Sequence, residues 1–248
     1  MNVPPWSTLV LAALLAGRPA GAVESAAAEA PEAPEAAAAA EEDGDGRGDA
    51  VAAGPSAPRS RRLDEVLDRA RRLVGHRSVV VAGRRFSGDC SNFVRAVYSA
   101  AGVDLMRPPP GAPVDPGPSN GVRSVRAFNR ARGVLGVRSP EPGDLVYFDD
   151  TYDRNRNGRV DDPLTHVGLV DRVLPGGTVE FIHFSAGRVR RARLTCARAH
   201  ESGKAARLND PVRVQRPRDP PGTRYLASEL LVDFGRIDLA PAAAGDRR

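Results

Sequence analysis

The sequence predicts an α+β fold, with N-terminal helices packed on an antiparallel β-sheet. Three observations predict it. Apolar residues recur at helical spacing in the first half of the folded part, they alternate or cluster in short runs in the second half, and turn residues at hairpin spacing separate those runs. The first helix is carried by Leu63, Val66, Leu67, Ala70, Leu73 and Val74, with Ser60 ahead of it and Gly75 behind. Val79 to Ala82 is a short extended piece. Phe93, Val94, Val97, Tyr98 and Ala101 form one stripe of a second helix that opens at Cys90 and stops at Gly102. Residues 106–121 are crowded with Pro and Gly and read as a long loop, a feature that is often functional. Val122, Val125, Arg126 and Phe128 suggest a third short helix ending at Gly133. The period then changes. Strands are expected at Asp144–Phe148, His166–Val173, Thr178–Phe184 and Arg188–Leu194, with Pro175-Gly176-Gly177 turning between the second and third. Val212–Val214 and Leu230–Phe234 are weaker strand candidates.

The ends read differently from this body. Leu9 to Leu15 is an apolar run followed by Ala20-Gly21-Ala22, which is the pattern of an export signal over residues 1–22. The run is short of the roughly 20 residues a spanning helix needs. Residues 23–58 are Ala, Glu, Pro and Gly with almost no large apolar side chain, and such a segment cannot bury enough surface to order itself. One folded domain is expected over 59–238, and 239–248 is expected to be a frayed tail. The chain carries a net charge of +5. Nine acidic side chains of the 23–58 segment face only Arg47 there, so the body is strongly basic. That suits an anionic partner such as cell wall, nucleic acid or a membrane surface, and it equally suits a composition that favours arginine, since Lys204 is the only lysine.

The chain has two cysteines, Cys90 and Cys196, and in an exported protein a pair suggests a disulfide. Cys90 also has a reactive reading. It follows Gly88-Asp89 and opens a helix, where unpaired N–H groups and the helix dipole lower a thiol pKa. A nucleophilic thiol needs a histidine from elsewhere in the chain. His76 and His200 lie in polar segments, whereas His166 and His183 lie on consecutive strands. A hairpin turning on Pro175-Gly176 pairs His183 with Gly168 and places His166 two residues along on the same face. A turn centred half a residue away puts the two histidines on opposite faces. On one face, one ring can take the thiol proton while the other holds its far nitrogen in one tautomer.

Asp89-Cys90-Ser91, Pro142-Gly143-Asp144-Leu145-Val146, His166-Val167-Gly168-Leu169 and Ile182-His183, in that order, resemble the NlpC/P60 cysteine peptidases over residues 63–190. The resemblance implies a papain-like fold with a Cys-bearing helix packed on a His-bearing antiparallel sheet. It implies Cys90 as nucleophile, His166 as general base and His183 as third polar residue. It also implies peptidoglycan peptides as substrate, often at the bond after γ-D-glutamate, with no cofactor required and no nucleic-acid partner. The protein would be a secreted or periplasmic monomer, peripheral to the cell envelope. Two other functions stand beside the endopeptidase. One is an N-acetylmuramoyl-L-alanine amidase or other acyl hydrolase, since Cys-x-Asn-Phe-Val is also similar to CHAP-like proteins. The other is a non-catalytic wall-binding protein with a Cys90–Cys196 disulfide. Three departures from the family's pattern stand out. Asn92 replaces the usual Gly, no Tyr precedes the Cys among Val79–Ala82, and insertions at 106–121 and 149–165 separate Cys from His.

The second insertion contains Asp153-Arg154-Asn155-Arg156-Asn157-Gly158-Arg159-Val160-Asp161. Oxygen side chains at Asp153, Asn155, Asn157 and Asp161, with Gly158 at the sixth position, are similar to the first nine positions of an EF-hand-type loop and offer a structural Ca²⁺ site. The twelfth position is Leu164, so Asp162, Asp149 or Asp150 would have to complete the cage. The same segment is equally a polar hairpin turn.

Overall fold

The chain divides into two units, Met1–Ala50 and Val51–Arg248. The computed structural model describes residues 57–195 and 208–239, all in the second unit. The expected export signal, the acidic segment before residue 57, Cys196, His200 and the residues after 239 lie outside the described residues.

Helix α1 spans Ala57–Leu73 and begins upstream of the stripe that predicts it, so Ser60 lies inside the helix. A two-stranded hairpin follows, β1 (Val79–Val81) and β2 (Arg84–Phe86), turning on Ala82 and Gly83, both with positive φ. Such a turn matches the twist of a tight hairpin. The expected extended piece is β1; β2 is new. Helix α2 (Cys90–Ser99) buries Phe93, Val94 and Val97 completely, each worth about 1.5–3 kcal/mol of burial. Helix α3 spans Gly121–Ala131.

The sheet is antiparallel: β3 (Gly133–Leu135), β4 (Leu145–Phe148), β5 (His166–Val173), β6 (Val179–Ser185), β7 (Arg188–Leu194) and β8 (Leu231–Ile237), in the order β3-β8-β4-β5-β6-β7. The helices-then-sheet expectation therefore holds at the level of architecture. Val212–Val214 is a correction. It forms no strand, only a single bridge at Pro211 to Leu226, while the one-turn helix α4 (Ala227–Leu230) leads into β8. Two valines flanking an arginine are too short a pattern to distinguish a strand from a loop.

Side chains alternate between two cores. Leu145, Tyr147, Val167, Leu169, Ile182 and Phe184 face α1, α2 and α3. Val146, Phe148, Val170, Phe181, Leu194 and Phe234 of β8 share the opposite side, where Val212, Ala227 and Leu230 pack against them. The Pro142-Gly143-Asp144 block proves architectural. Gly143 has φ 92°, and a Cβ there would strike Leu63 of α1. The buried Tyr98 hydroxyl of α2 donates to its carbonyl. Asp144 accepts from the Glu141 N–H at 2.8 Å and pairs with Arg236 through both of its oxygens. These bonds fix α2 and β8 against the start of β4.

Candidate active site

Asp89 sets the start of α2. Its backbone is extended, and its carboxylate accepts the Asn92 N–H at 2.8 Å, the Ser91 hydroxyl at 2.7 Å and the Asn92 Nδ2 at 2.7 Å. An N-cap of this kind satisfies orphan donors of the first turn, and its loss costs about 1 kcal/mol. Asn92, where a glycine was expected by resemblance, adds a bond to the cap that glycine could not make. Gly88 is needed just upstream, because a Cβ there would come within 2.9 Å of the Phe184 ring.

The cap presents a free, half-buried thiol at Cys90 to the sheet. The backbone N–H groups of Val167, Ser91 and Cys90 itself act on its sulfur and favour its charged form. The Val167 N–H is available because β5 and β6 part company at this end; their paired residues stop at Leu169 and Ile182. The thiol therefore lies beside the residue next to His166. These three donors favour the thiolate, as the helix-start expectation required. Burial opposes them and wins, and the thiol is pushed up to about 11. The expected low thiol pKa is thus corrected, because the sulfur is desolvated by burial.

His166 and His183 are brought together. Nε2 of His166 lies 2.7 Å from Nδ1 of His183, with the rings nearly perpendicular. Both rings are buried, against Phe148 and Phe181 respectively. Desolvation holds His166 down at about 4, and it depresses His183 well below the ordinary imidazole range with help from His166 and Arg190. With Nε2 engaged, Nδ1 is the only ring nitrogen of His166 free for another partner. A Cβ on Gly168 would meet Phe181 and Val146, so glycine there makes room for an aromatic ring of the core. His76, as expected, is exposed.

The two insertions meet beside the site. Asn120 Nδ2 donates to the Leu164 carbonyl at 3.1 Å, and Arg154 donates to the Ser119 carbonyl at 2.9 Å. At the base of the second insertion, Thr151 binds Thr165 through backbone N–H at 2.9 Å and hydroxyl at 3.0 Å, which fastens the chain one residue before His166. Tyr152, which follows Thr151, is 44% exposed, and its phenol is raised by burial first and then by the nearby Cys90. It stands near the thiol from a part of the chain that no sequence spacing links to it.

Asp153, Asn155, Asn157 and Asp161 do converge. Asp153 accepts from the Asn157 and Gly158 N–H groups, and the amides of Asn155 and Asn157 donate to Asp161 at 3.1–3.2 Å. The acids expected to complete a cage are employed elsewhere. Asp162 accepts from the Arg154 N–H at 2.9 Å, Asp150 from the Asp162 N–H at 2.6 Å, and Asp149 from the Leu164 N–H at 2.7 Å. Among the described residues no group of three or more His, Cys, Asp or Glu could hold a metal ion.

No protein-family model and no curated protein matches the chain. Among solved structures the chain is similar to a Staphylococcus aureus protein described as similar to a lipoprotein of the NLP/P60 family, with 20% identity and a TM-score of 0.36. The likeness covers 71% of this chain and 41% of that one, so the chain spans less than half of that protein's length. No described helix is long and apolar enough to cross a membrane.

Proposed function

We propose that this protein is an exported cysteine hydrolase of the NlpC/P60 type, with a papain-like catalytic domain over 59–238, that cuts peptide bonds in peptidoglycan. The observations that carry the reading are the imidazole pair of His166 and His183 and a capped helix-start thiol next to the backbone of Val167, the residue after His166. For His166 to act as base, its Nδ1 must be unprotonated, so its Nε2–H donates to Nδ1 of His183. Nδ1 then takes the proton from Cys90 as the sulfur attacks the carbonyl carbon. The carbonyl π pair moves to oxygen, and N–H groups at the start of α2 donate to that oxyanion. Collapse expels the amine, which leaves with the proton from His166. Water then hydrolyses the thioester by the same base. The thiol of Cys90 is free, which favours catalysis over a wall-binding scaffold closed by a Cys90–Cys196 disulfide. The basic body suits an anionic wall.

The pKa directions give this reading a pH signature. Between about 4 and about 11 both partners rest neutral, and the proton moves only during attack. Neutral His166 is the competent form, so activity is expected to fall on acidification through about pH 4, well below the ordinary histidine range. Alkylation of Cys90 by iodoacetamide, in a Cys196→Ser background, should rise continuously toward about pH 11. An alkylation plateau below pH 8 together with an acid limb at pH 6–7 would indicate a resting thiolate–imidazolium pair instead.

The loop at 153–161 belongs to the proposal as a structural Ca²⁺ site, its oxygens being the hard donors that this ion prefers. Binding would require the Asn155 and Asn157 amides to turn their oxygens inward. Calcium at several millimolar is then expected to raise Tm, EDTA to reverse the rise, and Asp153→Ala to remove the response. Identical melting curves in EDTA and calcium would leave the loop as a polar turn.

A further inference from the structure

β5 and β6 leave their turn in one register and reach the histidines in another. Beside the turn, Val173 pairs with Val179 and Arg172 with Glu180. One step further, Val170 pairs with Phe181 and Leu169 with Ile182. Asp171 is thus an extra residue on β5, a β-bulge. Register decides faces, because a slip of one residue moves a side chain to the other side of the sheet. With the bulge in place, Leu169 and Ile182 share the helix-side core, Val170 and Phe181 share the opposite core, and alternation carries His166 and His183 to one face. If the register at the turn ran on unchanged, His183 would lie opposite Leu169 and the two imidazoles would sit on opposite faces.

The bulge is held by side chains from outside the hairpin's turn. The Asp171 side chain is only 2% exposed. It accepts from Arg71 Nε of α1 at 2.6 Å and from a guanidinium nitrogen of Arg191 on β7, the residue facing Ile182. Glu180, opposite the neighbouring Arg172, is tied separately to Arg172 and Arg193. Asp171 is therefore anchored at the place where the register changes.

We propose that Asp171 is the positioning residue of the histidine pair: the Arg71–Asp171–Arg191 cluster pins the bulge, and the pinned bulge sets His183 against His166. This rests on the hydrolase reading for its consequence in turnover, but its structural content is tested without turnover. Losing the carboxylate frees the extra residue to migrate along β5. Removing the residue altogether leaves two strands of matched length, with Val170 still opposite Phe181.

The experiment compares full-length wild type, Asp171→Ala and a deletion of Asp171 by long-range ¹H–¹⁵N spectra of the histidine rings. Wild type should show His166 and His183 neutral and hydrogen-bonded to pH 5. Asp171→Ala should lose the bond, with His183 titrating nearer the ordinary range, whereas the deletion should retain the pair. In muropeptide hydrolysis, kcat should fall about 100-fold in Asp171→Ala with KM little changed, and the deletion should recover most of it. A residue that merely stabilises the fold predicts the reverse order, since deleting it removes the same ion pairs. An intact pair in Asp171→Ala, or a lost pair in the deletion, would overturn the proposal. Should Asp171→Ala fail to fold, the deletion decides alone. Wild type that keeps the pair but hydrolyses nothing would overturn the hydrolase reading and leave the bulge inference standing.

Discussion

Replacing Cys90 by alanine is expected to abolish hydrolysis while leaving the fold intact. The side chain contributes little to the core, and the features that hold α2 are elsewhere: the Asp89 cap, the buried Phe93, Val94 and Val97, and the Tyr98 bond to Gly143. Loss of a nucleophile removes the covalent route, which is worth on the order of 10⁴- to 10⁶-fold in kcat. The circular dichroism spectrum and Tm should stay close to wild type while turnover disappears. More than a few per cent of residual activity would contradict the assignment. Cys196→Ala should be nearly silent.

The second large effect is expected at His166. The thiol rests protonated, so sulfur attack depends on a base, and His166→Ala should cost as much as loss of Cys90. Combining the two substitutions should add little, because they disable one unit. His183 acts one bond further away. His183→Ala should be milder, and His183→Asn or His183→Gln should recover part of the activity, because an amide oxygen can accept from the His166 Nε2–H. Equal and total loss for all three at 183 would mean that this residue does more than orient the base.

How much of this was legible in the sequence depended on what set each feature. The helix carrying Cys90 was legible because its apolar stripe is regular and a Gly-Asp turn precedes it. The strands from His166 to Leu194 were legible because each is a run of ordinary length between turn residues. Edge elements such as Gly133–Leu135 and Arg84–Phe86 were not, since three-residue strands leave almost no period. The histidine pair was half legible. Its geometry depended on where the hairpin turned, and the observed turn taken alone gives the wrong face; the Asp171 bulge restores the right one. A bulge pinned by Arg71 and Arg191 rests on contacts distant in sequence, so local pattern could not reveal it. The thiol environment was misjudged for a related reason: helix-start chemistry is local, but desolvation comes from β5 packing over the sulfur. The same applies to Tyr152, which the second insertion delivers to the site.

Mass spectrometry of purified muropeptides after incubation tests most directly whether Cys90 drives amide hydrolysis in cell-wall peptide. Wild type should yield new peptide fragments whose summed masses exceed the parent by one water, with the cut inside the stem or cross-linking peptide, and Cys90→Ala should yield none. Cleavage at the lactyl–alanine amide would make the enzyme an amidase with the same machinery. Unchanged muropeptides, or the same products from wild type and Cys90→Ala, would contradict that role of Cys90.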